Sequence, residues 1–226
     1  MNQDGSERSI LRESDVIGWL TPCGHSVFFL ADEPGANVLM RVEADGTNAT
    51  KLVRGSLWAP ACSSDAKFIF YVNQEMPQKI WRMPIEGGTP TVVAQVLGDG
   101  IVGRLSLSPD GKLLAYAYVS WTQPSSFGWN MVIIPVDGNT KAIKTFKVPA
   151  SGGPYWSPDG NGLQYVVAQN QANNIWEQPL NGGKPKQLTH FTSGLIFDFD
   201  WSPDRKRLLL VRGDVESDAV LLNNLH

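Results

Sequence analysis

The sequence predicts an all-β chain of about five repeated four-stranded antiparallel units. Two interleaved turn motifs, and strands that are apolar on consecutive residues, carry that reading. The first motif is Ser-Pro-Asp-Gly at Ser108–Gly111 and Ser157–Gly160, then Ser-Pro-Asp-Arg at Ser202–Arg205, with looser copies at Ser63–Ala66 and Thr21–Gly24. Its third positions are Cys23, Asp65, Asp110, Asp159 and Asp204, so it recurs every 42 to 49 residues. The second motif begins at Asp4, Asp45, Glu86, Asp137 and Asn181 and alternates strictly with the first.

Both motifs are turn chemistry. Pro fixes φ at the first corner, Asp bonds nearby backbone N–H groups, and Gly accepts positive φ. Asp-Gly and Gly-Gly supply the corners of a two-residue hairpin. Between the turns lie Val27–Ala31, Phe68–Val72, Leu113–Val119, Leu163–Ala168 and Arg207–Val211. These runs do not alternate between apolar and polar, which suits strands covered on both faces.

Each unit therefore reads as strand a, the Ser-Pro-Asp turn, strand b, a loop, strand c, the second turn and strand d. In the fourth unit these strands are Pro154–Ser157, Leu163–Ala168, Asn174–Pro179 and Pro185–Thr189. The period is that of one β-propeller blade. The expected blades are 16–56, 57–100, 101–153, 154–196, and a split blade formed by 197–226 with 1–15. Two closures fit that count. Ser6–Glu13 could pair beside Ala219–Asn223 and seal a five-bladed ring, or the blades could form an open arc of a larger propeller. Almost no helix is expected.

Composition narrows the function classes. The chain has 226 residues, 42% hydrophobic and 18% charged, with a net charge of −3. The one tight basic cluster is Arg205-Lys206-Arg207, so no nucleic-acid surface is expected. Apolar runs such as Val27–Ala31 are far too short to cross a bilayer, and the first residues lack a signal segment. No membrane insertion is expected, and the compartment, periplasm or cytoplasm, depends on any parent protein. Cys23 and Cys62 match no zinc or redox spacing, and two thiols do not make a disulfide framework.

A search for chemistry finds little. There is no G-x-S-x-G elbow and no kinase signature. Of the three histidines, His25 follows a turn and His226 is the last residue, while His190 lies where strand d of unit four leads to the next blade. No catalytic residue, metal ligand or cofactor is assigned. Asp198 and Asp200 stand two apart on a strand, so both carboxylates point to one side of it, facing a water-filled channel or a hard cation. Arg104 occupies the same register in unit three as Asp198 in unit five, which makes it their channel-lining partner. The recurring Trp156 and Trp201, and Trp81 and Trp176, read as packing between blades.

Trp121, Phe127 and Trp129 do not recur. They sit in a b–c loop that is about five residues longer than its counterparts. Both turn motifs lie on one rim of an up-and-down blade, so this loop, His190, Phe191 and Asp99 share the opposite rim. Exposed aromatic loops on a rigid scaffold suit binding, and the alternative is that the loop covers its own blade.

At Tyr155–Val166 and Asn173–Thr189 the chain resembles the WD-like propeller repeat of the TolB family. The ending, Phe197–Leu225, resembles propellers attached to some bacterial serine/threonine kinases and winged-helix regulators. That resemblance implies a non-enzymatic module that senses or docks while another domain acts. The implied partner is a protein or peptide, with a small ligand as a further option. An alternative is a propeller enzyme with a channel metal, resting on Asp198, Asp200 and His190. A third reading is a truncated propeller without activity of its own.

Overall fold

The computed structural model describes residues 16–98, 100, 102–119, 129–139, 144–150, 152–169, 171–202 and 204–215. Among them there is no helix, and hence none that could cross a membrane. The first blade is β1 (Val16–Cys23), β2 (Ser26–Glu33), β3 (Ala36–Glu43) and β4 (Thr50–Gly55), hydrogen-bonded in chain order. The second is β5 (Leu57–Cys62), β6 (Phe68–Asn73), β7 (Lys79–Pro84) and β8 (Thr91–Gln95). The third is β9 (Val102–Leu107), β10 (Leu113–Tyr118), β11 (Trp129–Pro135) and β12 (Lys144–Val148). The fourth is β13 (Gly152–Trp156), β14 (Gly162–Gln169), β15 (Ala172–Pro179) and β16 (Lys186–Gln187). Two strands of a fifth follow, β17 (Leu195–Trp201) and β18 (Leu208–Gly213). Every pairing between these strands is antiparallel, and one isolated parallel bridge joins Ala172 to Gly194. The expected pairing of Ser6–Glu13 with Ala219–Asn223 lies outside the described residues.

The Ser-Pro-Asp turns share one hydrogen-bond pattern in all four later blades. The Ser hydroxyl donates to the Asp carboxylate, at 2.6 Å for Ser63–Asp65, Ser108–Asp110 and Ser157–Asp159. The same oxygen accepts the backbone N–H five residues on, at Phe68, Leu113, Gly162 and Arg207. The carboxylate accepts the N–H two residues beyond itself. These bonds hold the carboxyls of Asp65, Asp110, Asp159 and Asp204 below their usual range, the Ser hydroxyl contributing most. The Ser is therefore the pivot of the turn, a role that reading Pro, Asp and Gly alone does not disclose.

The first turn departs from the expected register. Cys23 does not stand in for the turn Asp: it ends β1 opposite Ser26, and Gly24 and His25 alone make the turn. Cys23 is thus equivalent to Cys62, the last residue of β5. The two join in a disulfide with their Cα atoms 5.4 Å apart. The bond ties the inner strands of blades one and two, so these cysteines are a single clip rather than two bystander thiols.

The core lies between the blades. Residues of the second strands of blades two, three and four bury alternately in the preceding and following blade. On β6, Ile69 and Tyr71 pack toward blade one, while Phe70 and Val72 pack toward blade three. On β10, Leu114 and Tyr116 face blade two, while Ala115 and Ala117 face blade four. Burial on both faces explains the continuous apolar runs.

Each inner strand also carries an extra residue against its neighbour, and β1 carries a second between Val16 and Gly18. The register slips between Gly18 and Thr21, Trp58 and Ala61, Val102 and Leu105, Gly152 and Tyr155, and Ile196 and Asp198. Such bulges re-aim side chains. Gly153 meets one with φ of 119°, where a Cβ would come within 3.2 Å of β14.

Two outcomes follow from these contacts. Ser157→Ala leaves the buried Gly162 N–H without its acceptor, and urea unfolding should show a loss of about 1–3 kcal/mol; an unchanged midpoint would contradict the pivot role. Reducing the Cys23–Cys62 bond should lower the unfolding free energy by about 2–4 kcal/mol. A Cys23→Ser/Cys62→Ser variant should match the reduced wild type and be indifferent to reductant. Equal midpoints with and without reductant would show that the clip contributes nothing.

Candidate functional site: the central channel

All five inner strands line one cavity of about 310 Å³. The bulges decide what enters it. Arg104 sits in the irregular stretch of β9, and Asp198 follows the extra residue Phe197 on β17. The Arg104 guanidinium lies 3.5 Å from the Asp198 carboxylate and 4.3 Å from the centroid of the Tyr155 ring. Tyr155 on β13 donates its hydroxyl to that carboxylate in a short hydrogen bond. Its ring packs 3.9 Å from Phe199. Asp198 also accepts the Phe199 N–H at 2.9 Å. Three blades thus meet at one polar cluster, with Tyr155 of the middle blade between the two charges.

Burial drives the Tyr155 pKa far above the ordinary phenol value, so the hydroxyl remains a donor at physiological pH. The Arg104 and Asp198 side chains are 30% and 55% exposed, so solvent screens their attraction. The pair orients the channel wall more than it stabilises the fold.

Neighbouring blades are fastened at successive levels. Trp156 donates its indole N–H to the Ser106 carbonyl, and Trp201 donates to the Gln164 side chain, each at 2.9 Å. Thr21 donates to the Pro60 carbonyl, and the Trp19 and Trp58 rings meet edge-on at 5.2 Å. Asp200 lines the cavity and accepts the Trp201 N–H at 2.8 Å, and among the described residues no cation lies within ion-pair distance of it.

The residues singled out from the sequence fall into three groups. Arg104 and Asp200 line the cavity, and Asp198 is brought to it by its pairing with Arg104. Phe191 is half-buried among residues of blades four and five. Asn174 exchanges hydrogen bonds with its N–H and carbonyl, and Arg212 lies 3.8 Å above its ring. His190 beside it is exposed. Trp129 packs in the layer between blades three and four, its ring so close to Gly103 that a Cβ there would approach within 2.5 Å. Trp121, Phe127 and Asp99 lie outside the described residues. Among the described residues no three His, Cys, Asp or Glu side chains converge.

Sequence reading missed Tyr155, which joins the two charges. The signal was present: Tyr155 precedes its turn Ser by two residues, as Asp200 does.

No family model matches the chain. An uncharacterized protein of Agrobacterium fabrum is 27% identical over 148 residues, covering 65% of this chain and 47% of that protein. The crystal structure of TolB from Acinetobacter baumannii superposes with a TM-score of 0.67 at 20% identity, over 85% of this chain and 48% of TolB. The propeller domain of the trilobed protease from Pyrococcus furiosus, described as having an open velcro topology, gives 0.57 at 12% identity over 86% and 69%. The chain thus spans about half the length of the curated relative and of TolB. At these identities the likeness is one of fold, and the fold is a TolB-like β-propeller.

Proposed function

We propose that the chain is a binding domain without catalysis of its own, working as the docking or sensing part of a larger bacterial protein. Its ligand is a protein segment, peptide or small molecule held in the channel, whose lining reaches Ser202 and Arg205 of the turn rim. The observation that carries this reading is the Arg104–Tyr155–Asp198 cluster, of which Arg104 and Tyr155 line a 310 Å³ cavity. That volume suits a small ligand or an inserted side chain. Tyr155 is locked by packing and by its hydrogen bond, so the site is preorganised. A likeness in fold to TolB supports the binding reading. The Cys23–Cys62 bond supports work in an oxidising compartment, where such bonds persist.

A second reading draws on the likeness to a protease propeller: the channel would then serve a catalytic domain elsewhere on the polypeptide. A stoichiometric divalent ion, measured by elemental analysis, would instead favour an enzyme of the channel itself.

Trp156 and Trp201 line the cavity, so a bound ligand should change intrinsic fluorescence. A panel of short peptides titrated into the protein should yield a binder whose affinity falls about 10-fold or more in Arg104→Ala, as loss of a charged hydrogen-bonding group implies. Lys51→Ala, on the outer strand β4 and away from the cavity, should leave that affinity unchanged. A binder indifferent to Arg104→Ala would refute the channel as the site.

A further inference from the structure

Blade five exposes a face that every earlier blade buries. Counted from the turn Ser, Leu209 and Val211 on β18 hold the positions of Phe70 and Val72, Ala115 and Ala117, and Gln164 and Val166. Those six residues are at most 4% exposed and pack against the next blade. Leu209 and Val211 are 71% and 53% exposed, and Phe197 on the adjoining strand is 56% exposed. The alternate residues of β18, Leu208 and Leu210, pack on blade four as the repeat requires. The exposed set is therefore the matching half of an established interface.

Asp200 belongs to the same face, directly across from Leu209. At its level in blade three the Ser106 carbonyl receives the Trp156 indole of the following blade. In blade four Tyr155 reaches forward to Asp198. Asp200 has no such partner among the described residues. Blade one does not supply it, because its outward residues Phe29, Val38 and Met40 are already buried while Leu209 stays open.

We infer that this face seats a further blade of the same repeat, carried on the same polypeptide. The incoming blade presents an aliphatic residue and, two positions on, a Tyr or Leu. Ile69 and Tyr71, Leu114 and Tyr116, Leu163 and Tyr165, and Leu208 and Leu210 show that pattern. It also brings an N–H or cationic donor to Asp200. The length agrees, since this chain covers 48% of the TolB structure it resembles. Apart from the longer polypeptide, the inference is independent of what the channel binds.

Both native cysteines are paired, so Leu209→Cys introduces a lone reactive thiol. Its maleimide labelling rate is compared in the 226-residue chain and in the uninterrupted polypeptide from the source organism, with exposed Met76→Cys as control. The expected result is labelling at least 10-fold slower at position 209 in the longer protein, with position 76 equal in both. Equal rates at 209 would overturn the inference. So would a natural protein of no more than 24.8 kDa. Slow labelling already in the 226-residue chain would likewise overturn it, and a dimeric mass by light scattering would then assign the face to a second copy.

Discussion

Alternate burial of the second strands is the constraint on which this structure depends. A strand between two neighbours must be apolar on both faces, and successive residues then serve different partners. Tyr116 fills the gap toward blade two while Ala117 admits blade four. The Tyr116 hydroxyl oxygen also accepts the Leu97 N–H at 2.9 Å, so this fully buried side chain has a hydrogen-bond partner within the layer. Stability is shared between nearest neighbours, as in other repeat architectures. No blade can bury itself.

The channel chemistry is a product of that packing. Blade spacing brings the inner strands side by side, and the extra residue in each turns particular side chains inward. Arg104 spans from blade three to blade five across Tyr155, a contact possible only when blade four holds both neighbours. The disulfide performs the same fastening covalently between blades one and two. A cluster assembled from several blades forms only when the blades are in register.

Much of this was legible in the sequence. The spacing of Asp65, Asp110, Asp159 and Asp204 places four turns at matching depth, and the strands between them follow. Arg104 and Asp198 share a register position, and the structure pairs them. What the sequence hid has physical causes. Thr21–Gly24 looks like a Ser-Pro-Asp turn, but the chain turns on Gly24 and His25, which conceals the equivalence of Cys23 and Cys62. The bulges leave no compositional mark of their own: Ala59 and Trp19 stand at positive φ there, as Gly18 does. Trp129 looked like part of a binding loop, and its side chain is half-buried against Gly103 because the ring fills a gap no β-carbon occupies.

Hydrogen exchange resolved by strand tests the alternate-burial account most directly. Backbone amides of β6, β10 and β14, enclosed between two blades, should exchange slowest and with similar protection, while β18 should exchange at least 10-fold faster because one of its faces has no blade against it. Protection of β18 equal to that of β10 would contradict the claim that each strand draws its stability from the blades on both sides.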